Sequence, residues 1–546
     1  MFKIERITCS YSLIWFLIVF VRSSALNLSI IHINDFHARF DETSPTSTVC
    51  KNNSACIGGF SRIHTVVNQL YRTGSNPISL NAGDNFQGTT WYSMFKWNVT
   101  QFFLNMLPTD AMVLGNHEFD DGIEGLVPFL KRIEAPVVVC NINDTLEPDV
   151  RNLYRKSVVI EREGRKIGIV GVLSSTTKGT SYTGKLSFLD EIKSTNAEAQ
   201  RLLQQEDVFT VIVLSHCGYE LEKQIARQAI VGISLIVGGH SNTLLYNGTP
   251  PFGTSSGQYP TVIESIYNRT VLIVQADGFS RYVGNLSVEY DNFGNPKAWE
   301  GNPIYLDTNI PQNKSINDLL EGYRIEVEKI GQRLVGKTNV HLDQSSCLFT
   351  ECNLGNLVAD AMVAYYSNHT DDQDSWTKAA VSIINSGAFR SSIYKGDISL
   401  NDLENAMPFG DRIVYGVLQG KHIKTIMESS AAPYFFRKAN FNMTAIQVSG
   451  MKMVVDLTQP IGSRIVSLKI RCRRCHIPAF QKLEPEEYYP IALTLYLAKG
   501  GDRHGVIQEH LTDVKRGPRV VDIVSEYISK LSPIILGLDD RIIVRG

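Results

Sequence analysis

Through the first half of the chain, short apolar runs rich in β-branched residues alternate with helical patterns, and run after run stops at a polar residue able to bind metal. The runs cover 28–34, 78–82, 111–114, 137–141, 167–173, 208–214 and 233–237. Between the first two, Ile63, Val66, Val67 and Leu70 recur at the spacing of one helix face. This alternation predicts a layered α/β domain whose strands are mostly buried. In such sheets, sites form beyond the carboxyl ends of the strands, where the loops meet. The first run leads into Asp35-Phe36-His37 and the second into Gly83-Asp84. The third leads to Gly115-Asn116-His117-Glu118-Phe119-Asp120. Those ending at 214 and 237 lead to Ser215-His216 and Gly238-Gly239-His240.

The convergent set is therefore Asp35, His37, Asp84, Asn116, His216 and His240. Carboxylate, amide-oxygen and imidazole ligands suit borderline divalent ions such as Zn²⁺, Mn²⁺ or Fe²⁺. So many ligands exceed the needs of one tetrahedral ion with an open position. They suit two ions sharing a bridging carboxylate, for which Asp84 is the natural choice. Such a pair activates a water and clamps a phosphoryl oxygen during in-line displacement. His117, in the same turn as Asn116, becomes a candidate to stabilise developing charge or protonate the leaving oxygen, with Asp120 holding its other ring nitrogen. A single histidine or strand-end glycine is usually structural; it is the repetition at separate strand ends that argues for a site. His64, His369, His422, His476 and His510 lack that context, and His32, inside the first run, reads as a packed residue.

Beyond about residue 311 the pattern changes. A helix over 315–334 shows an apolar stripe of Ile316, Leu319, Leu320, Tyr323, Val327, Ile330 and Leu334, with Asn313 or Ser315 placed to cap it. A second α/β unit follows, opening with a helix through Leu357, Val358, Ala361, Met362 and Tyr365 and holding a buried strand at 380–384. The expected organisation is a phosphoesterase domain over 26–311, a connecting helix over 312–335 and a second domain over 336–546. The balance of 53 basic and 55 acidic residues among 546, with 43% hydrophobic and 20% charged residues, excludes a disordered chain and argues against a nucleic-acid scaffold.

Lys3 and Arg6 precede the apolar run 11–21, and Ser23-Ser24-Ala25 supplies small residues for cleavage, so 1–25 reads as a secretory signal peptide. The C-terminus is polar and lacks a lipid-anchor signal. The expectation is a secreted protein without a membrane anchor. Sequons at Asn27, Asn52, Asn98, Asn143, Asn247, Asn268, Asn285, Asn313, Asn368 and Asn442 fit that route. So do the close pairs Cys50/Cys56, Cys347/Cys352 and Cys472/Cys475, each plausible as a small disulfide loop. Cys140 and Cys217 lie in apolar segments, and their pairing is open.

The strand-end motifs, together with Ser241-Asn242 after His240, resemble those of the 5'-nucleotidase/apyrase family, and the likeness runs from about residue 26 to the C-terminus. It implies an N-terminal metallophosphoesterase domain of four layers, a β-sandwich flanked by helices, and a C-terminal α/β nucleotide-binding domain. By that likeness the named ligands bind a dinuclear centre, usually zinc, and His117 with Asp120 form the catalytic dyad. Asn385-Ser386-Gly387-Ala388-Phe389-Arg390 is similar to the family's Asn-Gly-Gly-Gly-Ile-Arg segment, which assigns Asn385 to the base and Arg390 to the phosphates. Pro408-Phe409-Gly410 and the segment from Leu495 to Asp502 match two more binding segments. Phe409 and Tyr496 would sandwich the purine, and Asp502 would take the ribose hydroxyls. Leu348 stands where vertebrate members usually carry an arginine after the first cysteine of the pair, which removes one phosphate-contacting cation. Tyr496 replaces a usual phenylalanine. The missing anchor resembles the secreted salivary apyrases of blood-feeding arthropods, and the family's mobile second domain gives the connecting helix a hinge-side role.

The resemblance thus implies a secreted apyrase that removes terminal phosphates from extracellular ATP and ADP to give AMP, with inhibition of platelet aggregation as the consequence. The alternative is a 5'-nucleotidase cleaving AMP to adenosine with the same residues. A non-enzymatic reading takes Lys395-Gly396-Asp397 as an integrin-binding tripeptide; a Gly-Asp turn before the strand at 398–400 is the plainer account.

Overall fold

A computed structural model describes residues 26–45, 50, 56–370, 373–432, 434–436, 439–441 and 445–546. The expected signal peptide and the sequons at Asn52 and Asn442 lie outside these. The N-terminal domain is built on two six-stranded sheets. In the first, Leu26–Ile33 is central, parallel to Pro77–Asn81 and antiparallel to Tyr282–Tyr290. Ala111–Met112 continues the parallel side, and Pro296–Gly301 closes the other. In the second, Arg165–Leu173, Thr210–His216, Ile233–Val237 and Thr270–Val274 run parallel, with antiparallel strands Ser157–Arg162 and Thr261–Glu264 at the edges.

Alternation along one strand explains the layers. Ile212 and Leu214 join Leu28, Ile30, Ile78 and Leu80 in the core between the sheets. Val211 and Val213 face the other way, into a second core with Ala199 of the helix Glu191–Arg201 and Ile225 of the helix Tyr219–Arg227. A strand buried on both faces needs apolar residues at consecutive positions, which is why the sequence shows unbroken runs there.

One expected strand does not form. The segment 137–141 makes only isolated bridges, Val137 with Met112 and Val138 with Arg155. It crosses from one sheet to the other: Met112 N donates to Pro136 O at 2.9 Å, and Cys140 N donates to Gly171 O at 2.7 Å. Its hydrogen bonds are divided between two sheets, so no ladder grows.

The helix after the first domain spans Lys314–Gly331, and the Asn313 side chain caps it by accepting from Ile316 N at 3.1 Å. Ile316, Leu320 and Val327 are buried in the first core, and Tyr323 packs on Phe95 and Phe103. Leu319, Ile330 and Leu334 are exposed, and Leu334 already belongs to the strand Leu334–Thr338. The apolar stripe is thus narrower than its spacing suggests, because the helix packs on the first domain along one edge only.

The C-terminal domain centres on a five-stranded sheet in the order Ile446–Ser449, Val381–Asn385, Tyr488–Thr494, Arg412–Gln419 and Thr512–Arg519. The helices Asn353–Ser367 and Val520–Leu531 pack on one face of it, and Gly420–Ser430 with a four-stranded sheet on the other. Disulfides join Cys50 to Cys56, Cys347 to Cys352 and Cys472 to Cys475, while Cys140 and Cys217 are free and buried. Among the described residues, no helix is long and apolar enough to cross a membrane.

Candidate dinuclear metal centre

The strand ends of both sheets meet at one edge of the sandwich, and backbone hydrogen bonds lace their loops together. Asp35 N donates to Gly83 O at 2.9 Å, and His37 N donates to Asp84 O at 3.0 Å. Asp35, His37, Asp84 and His240 all adopt positive φ, between 50° and 74°. Left-handed backbone at a non-glycine residue is uncommon, and several cases at one place mark a site where the fold imposes side-chain direction. Gly115 serves the same end by absence of a side chain: a Cβ there would lie 2.1 Å from Asp84 Oδ1.

Asp84 is the hub. Its Oδ2 lies 3.0 Å from His216 Nε2 and 4.0 Å from His37 Nε2, and its Oδ1 accepts from His117 N at 2.9 Å. Ligand atoms of His37, Asp84 and His117 converge in one group and those of Asp84, His216 and His240 in another, so the same carboxylate belongs to both. Asp35 Oδ2 accepts from His240 N at 3.1 Å, and Asn116 Oδ1 stands 2.8 Å from His240 Nδ1. All the residues expected as ligands therefore meet in one place. His216 Nδ1 donates to Ala82 O at 2.6 Å and His37 Nδ1 to Phe86 O at 3.3 Å, which turns both Nε2 atoms toward Asp84.

The electrostatics suit a cation. Burial alone would push the Asp84 carboxyl up, but His216, His117 and His37 outweigh it and hold it well below its usual range. Burial drives His37 well below its ordinary value and takes His240 to about 3, so both are neutral imidazoles with a free lone pair. His216 Nε2 is buried and faces the Asp84 carboxylate at 3.0 Å. A buried imidazole nitrogen aimed at an ionised carboxylate is a pair of ligands that a divalent ion can draw together.

His117 opens the short helix His117–Phe119, and its Nδ1 is 2.6 Å from Asp120 Oδ2. Burial opposes protonation of this ring, but Asp120 and Asp84 together lift it to about 9. The ring stacks on Phe409 of the C-terminal domain, 5.0 Å between centroids and 11° between planes. Arg390 also lies over the Phe409 ring, 4.7 Å from its centroid. Asp502 collects the remaining expected residues: Asn385 Nδ2 donates to its Oδ2 at 2.9 Å, and Tyr496 Oη donates to its Oδ1 at 2.7 Å. Gly501 leaves room for the Tyr496 ring, which would have to shift from a Cβ placed 2.5 Å away. Leu348 is half-buried and offers only its carbonyl, to Ala445 N at 3.0 Å. His32 is buried against Tyr259 Oη at 2.9 Å, a packed residue. Gly396 and Asp397 lie in the strand Gly396–Ser399, paired with Leu334–Thr338.

Glu118 is not singled out by its sequence context. Its fully buried carboxylate accepts from Asp84 N at 3.0 Å, Asn85 N at 2.6 Å and Gly115 N at 2.5 Å. It ties the loops of two strands into one rigid corner. Its one sequence signal is its place beside His117 in the motif. Glu118→Gln replaces an acceptor with an amide that must present N–H to N–H. Metal affinity, measured by competition with a chromogenic chelator, is expected to fall about tenfold to a hundredfold; unchanged affinity would remove Glu118 from this role.

A two-sheet sandwich with a carboxylate shared between two histidine-rich ligand groups at its strand ends is the architecture of a metallophosphoesterase. Residues 28–243 match the calcineurin-like phosphoesterase family, whose chemistry runs on a dinuclear divalent metal centre, and residues 334–509 match the 5'-nucleotidase C-terminal domain. The chain is 43% identical to an apyrase of Tabanus yao, over 94% of this chain and 93% of the relative. It is 38% identical to a 5'-nucleotidase of Homo sapiens, over 95% and 91%. The crystal structure of a 5'-nucleotidase precursor from Thermus thermophilus superposes with a TM-score of 0.83 at 29% identity, covering 95% of this chain and all of that one. The chain belongs to the 5'-nucleotidase/apyrase family and is a nucleotide phosphohydrolase.

Proposed function

We propose that the protein is a secreted apyrase that converts ATP and ADP to AMP and phosphate on a di-zinc centre. The observation that carries the reading is the convergence of Arg390, Phe409 and the His117–Asp120 pair over the Asp84 hub. The higher identity to an apyrase (43%) than to the human 5'-nucleotidase (38%) favours terminal-phosphate removal over AMP cleavage. Asp35, His37, Asp84, Asn116, His216 and His240 would hold the ions, with Asp84 bridging. When bound, the ions supply Lewis-acid polarisation of the phosphoryl oxygens and a water of lowered pKa. Arg390 binds the phosphate chain, as a guanidinium matches phosphate oxygens in pairs. Asn385, Phe409, Tyr496 and Asp502 bind the nucleoside, an aromatic ring on a base being worth about 1–3 kcal/mol. His117, kept protonated by Asp120, stabilises the charge that develops on the transferred group or gives its proton to the leaving oxygen.

The same reading places domain limits at 26–311, 312–335 and 336–546 and gives the protein a route outside the cell, where ADP removal would blunt platelet aggregation. Phosphate release from ATP, ADP and AMP, measured side by side with and without chelator, tests it. Turnover of ATP and ADP with AMP accumulating, abolished by chelator and restored by Zn²⁺, is the expected result. Release from AMP alone would replace this reading with the 5'-nucleotidase one. Fibrinogen displacement lost in Asp397→Ala but insensitive to chelator would favour the adhesion reading of Lys395-Gly396-Asp397.

A further inference from the structure

Arg39 follows the ligand loop of the first strand and is almost wholly buried, with 1% of its surface exposed. Its Nη1 donates to Asn405 Oδ1 of the C-terminal domain at 2.6 Å, but Nε and Nη2 have no hydrogen-bond partner. Among the described residues it has no carboxylate partner. Moving a charge out of water costs several kcal/mol unless a counter-charge is close. Arg281 shows the ordinary solution nearby. Both guanidiniums lie over the Phe279 ring, at 5.4 Å and 5.6 Å from its centroid, yet Arg281 is neutralised by Asp277 at 2.7 Å.

The place of the unneutralised charge is informative. The Phe279 ring that carries it stacks on His37, 5.1 Å between centroids, so Arg39 sits one ring away from a metal-ligand candidate. Arg390 likewise has no carboxylate partner among the described residues, and its backbone N donates to Ala406 O at 2.9 Å. Asn405 and Ala406 are consecutive at the end of the helix Leu400–Ala406. One helix end therefore holds Arg39 by a side chain and Arg390 by a carbonyl, one from each domain. Two like charges held at one helix end, Arg39 buried and Arg390 half-buried, are unfavourable until an anion with several oxygens binds between them.

We propose that Arg39 is a phosphate-binding residue, whose free Nε and Nη2 donate to oxygens of the substrate's phosphate groups alongside Arg390. The proposal rests on the nucleotide phosphohydrolase reading given above. It also makes inorganic phosphate a ligand of the same two guanidiniums, because the product carries the same oxygens.

The test is calorimetric titration of the metal-loaded full chain with inorganic phosphate, with a methylene-bridged ADP analogue and with adenosine. Arg39→Met keeps the bulk of the side chain and removes the donors. Losing a hydrogen-bonded charge pair is expected to weaken phosphate and the analogue about tenfold to a hundredfold, with adenosine affinity unchanged. Asn405→Ala, which removes only the contact between domains, is expected to weaken them less. Wild-type phosphate affinity in Arg39→Met overturns the proposal. So does an equal loss for adenosine, which would make Arg39 a structural link between domains. Should Arg39→Met fail to fold, Arg39→Lys decides: selective weakening of phosphate supports the proposal, and wild-type affinity overturns it. A wild-type protein that binds phosphate but neither adenosine nor the analogue would overturn the nucleotide reading while leaving the Arg39 comparison with phosphate intact.

Discussion

Asp84→Ala is expected to leave the protein without its metal ions and without turnover. Asp84 is the one residue common to both ligand groups, and its carboxylate faces two imidazoles while accepting from the backbone of a third histidine. Removing it takes away the carboxylate that the two groups share. It also takes away the strongest influence raising His216, whose burial is at present outweighed by Asp84 to give a value of about 10. Alanine thus leaves a cluster of imidazoles with too little negative charge to hold two divalent ions close together. Metal content by atomic emission is expected to fall from two ions toward none, and phosphate release by about three orders of magnitude or more. Asp84→Asn is expected to lose metal as well, because the amide keeps the hydrogen bond from His117 N but not the charge. Two retained ions in either variant would remove Asp84 from the bridging position.

The site is legible in the sequence because its signals are local. A strand end can be found from an apolar run, and the α/β architecture sends all such ends to the same edge. Asp35, His37, Asp84, Asn116, His216 and His240 announce themselves in this way although up to 205 positions separate partners such as Asp35 and His240. What escapes the sequence depends on contacts that no local pattern encodes. The segment 137–141 has the composition of a strand, but its hydrogen bonds are split between two sheets. Tyr282–Tyr290 is a principal strand of the first sheet, yet its alternating half-buried positions give no continuous run. Leu319 and Ile330 obey the helix period and still face solvent, because the helix meets the first domain along a narrow edge. Glu118 and Arg39 are charged residues that composition would place at the surface. They are buried because one accepts hydrogen bonds from four loop N–H groups and the other faces the junction between domains. Residues of the nucleotide cluster are reached only through likeness to a family. Stacking of Phe409 on His117 joins parts of the chain that no periodicity connects.

His117→Ala is expected to do the opposite of Asp84→Ala, keeping the metal and losing the chemistry. Geometry alone would let His117 act as a ligand, since its ring lies in one group with His37 and Asp84. Its other contacts argue for a proton-bearing role. Asp120 holds Nδ1 at 2.6 Å, and the two carboxylates overcome burial to lift the ring to about 9, which suits a residue that carries a proton beside the site. The ring also faces Phe409 and hence the substrate side of the site. Alanine should therefore leave two ions bound while kcat falls about 10²–10⁴-fold, the range for loss of a positioned acid. KM should move far less. Asp120→Asn supplies the sign of the pH effect. It removes the strongest influence raising His117, so burial pulls the pKa down and the alkaline limb of the rate profile moves to lower pH. The protonated form is lost as pH rises through a lower value than in the wild type. Loss of one ion in His117→Ala would make this residue a ligand, and an unmoved alkaline limb in Asp120→Asn would separate the pair from the proton that the reaction needs.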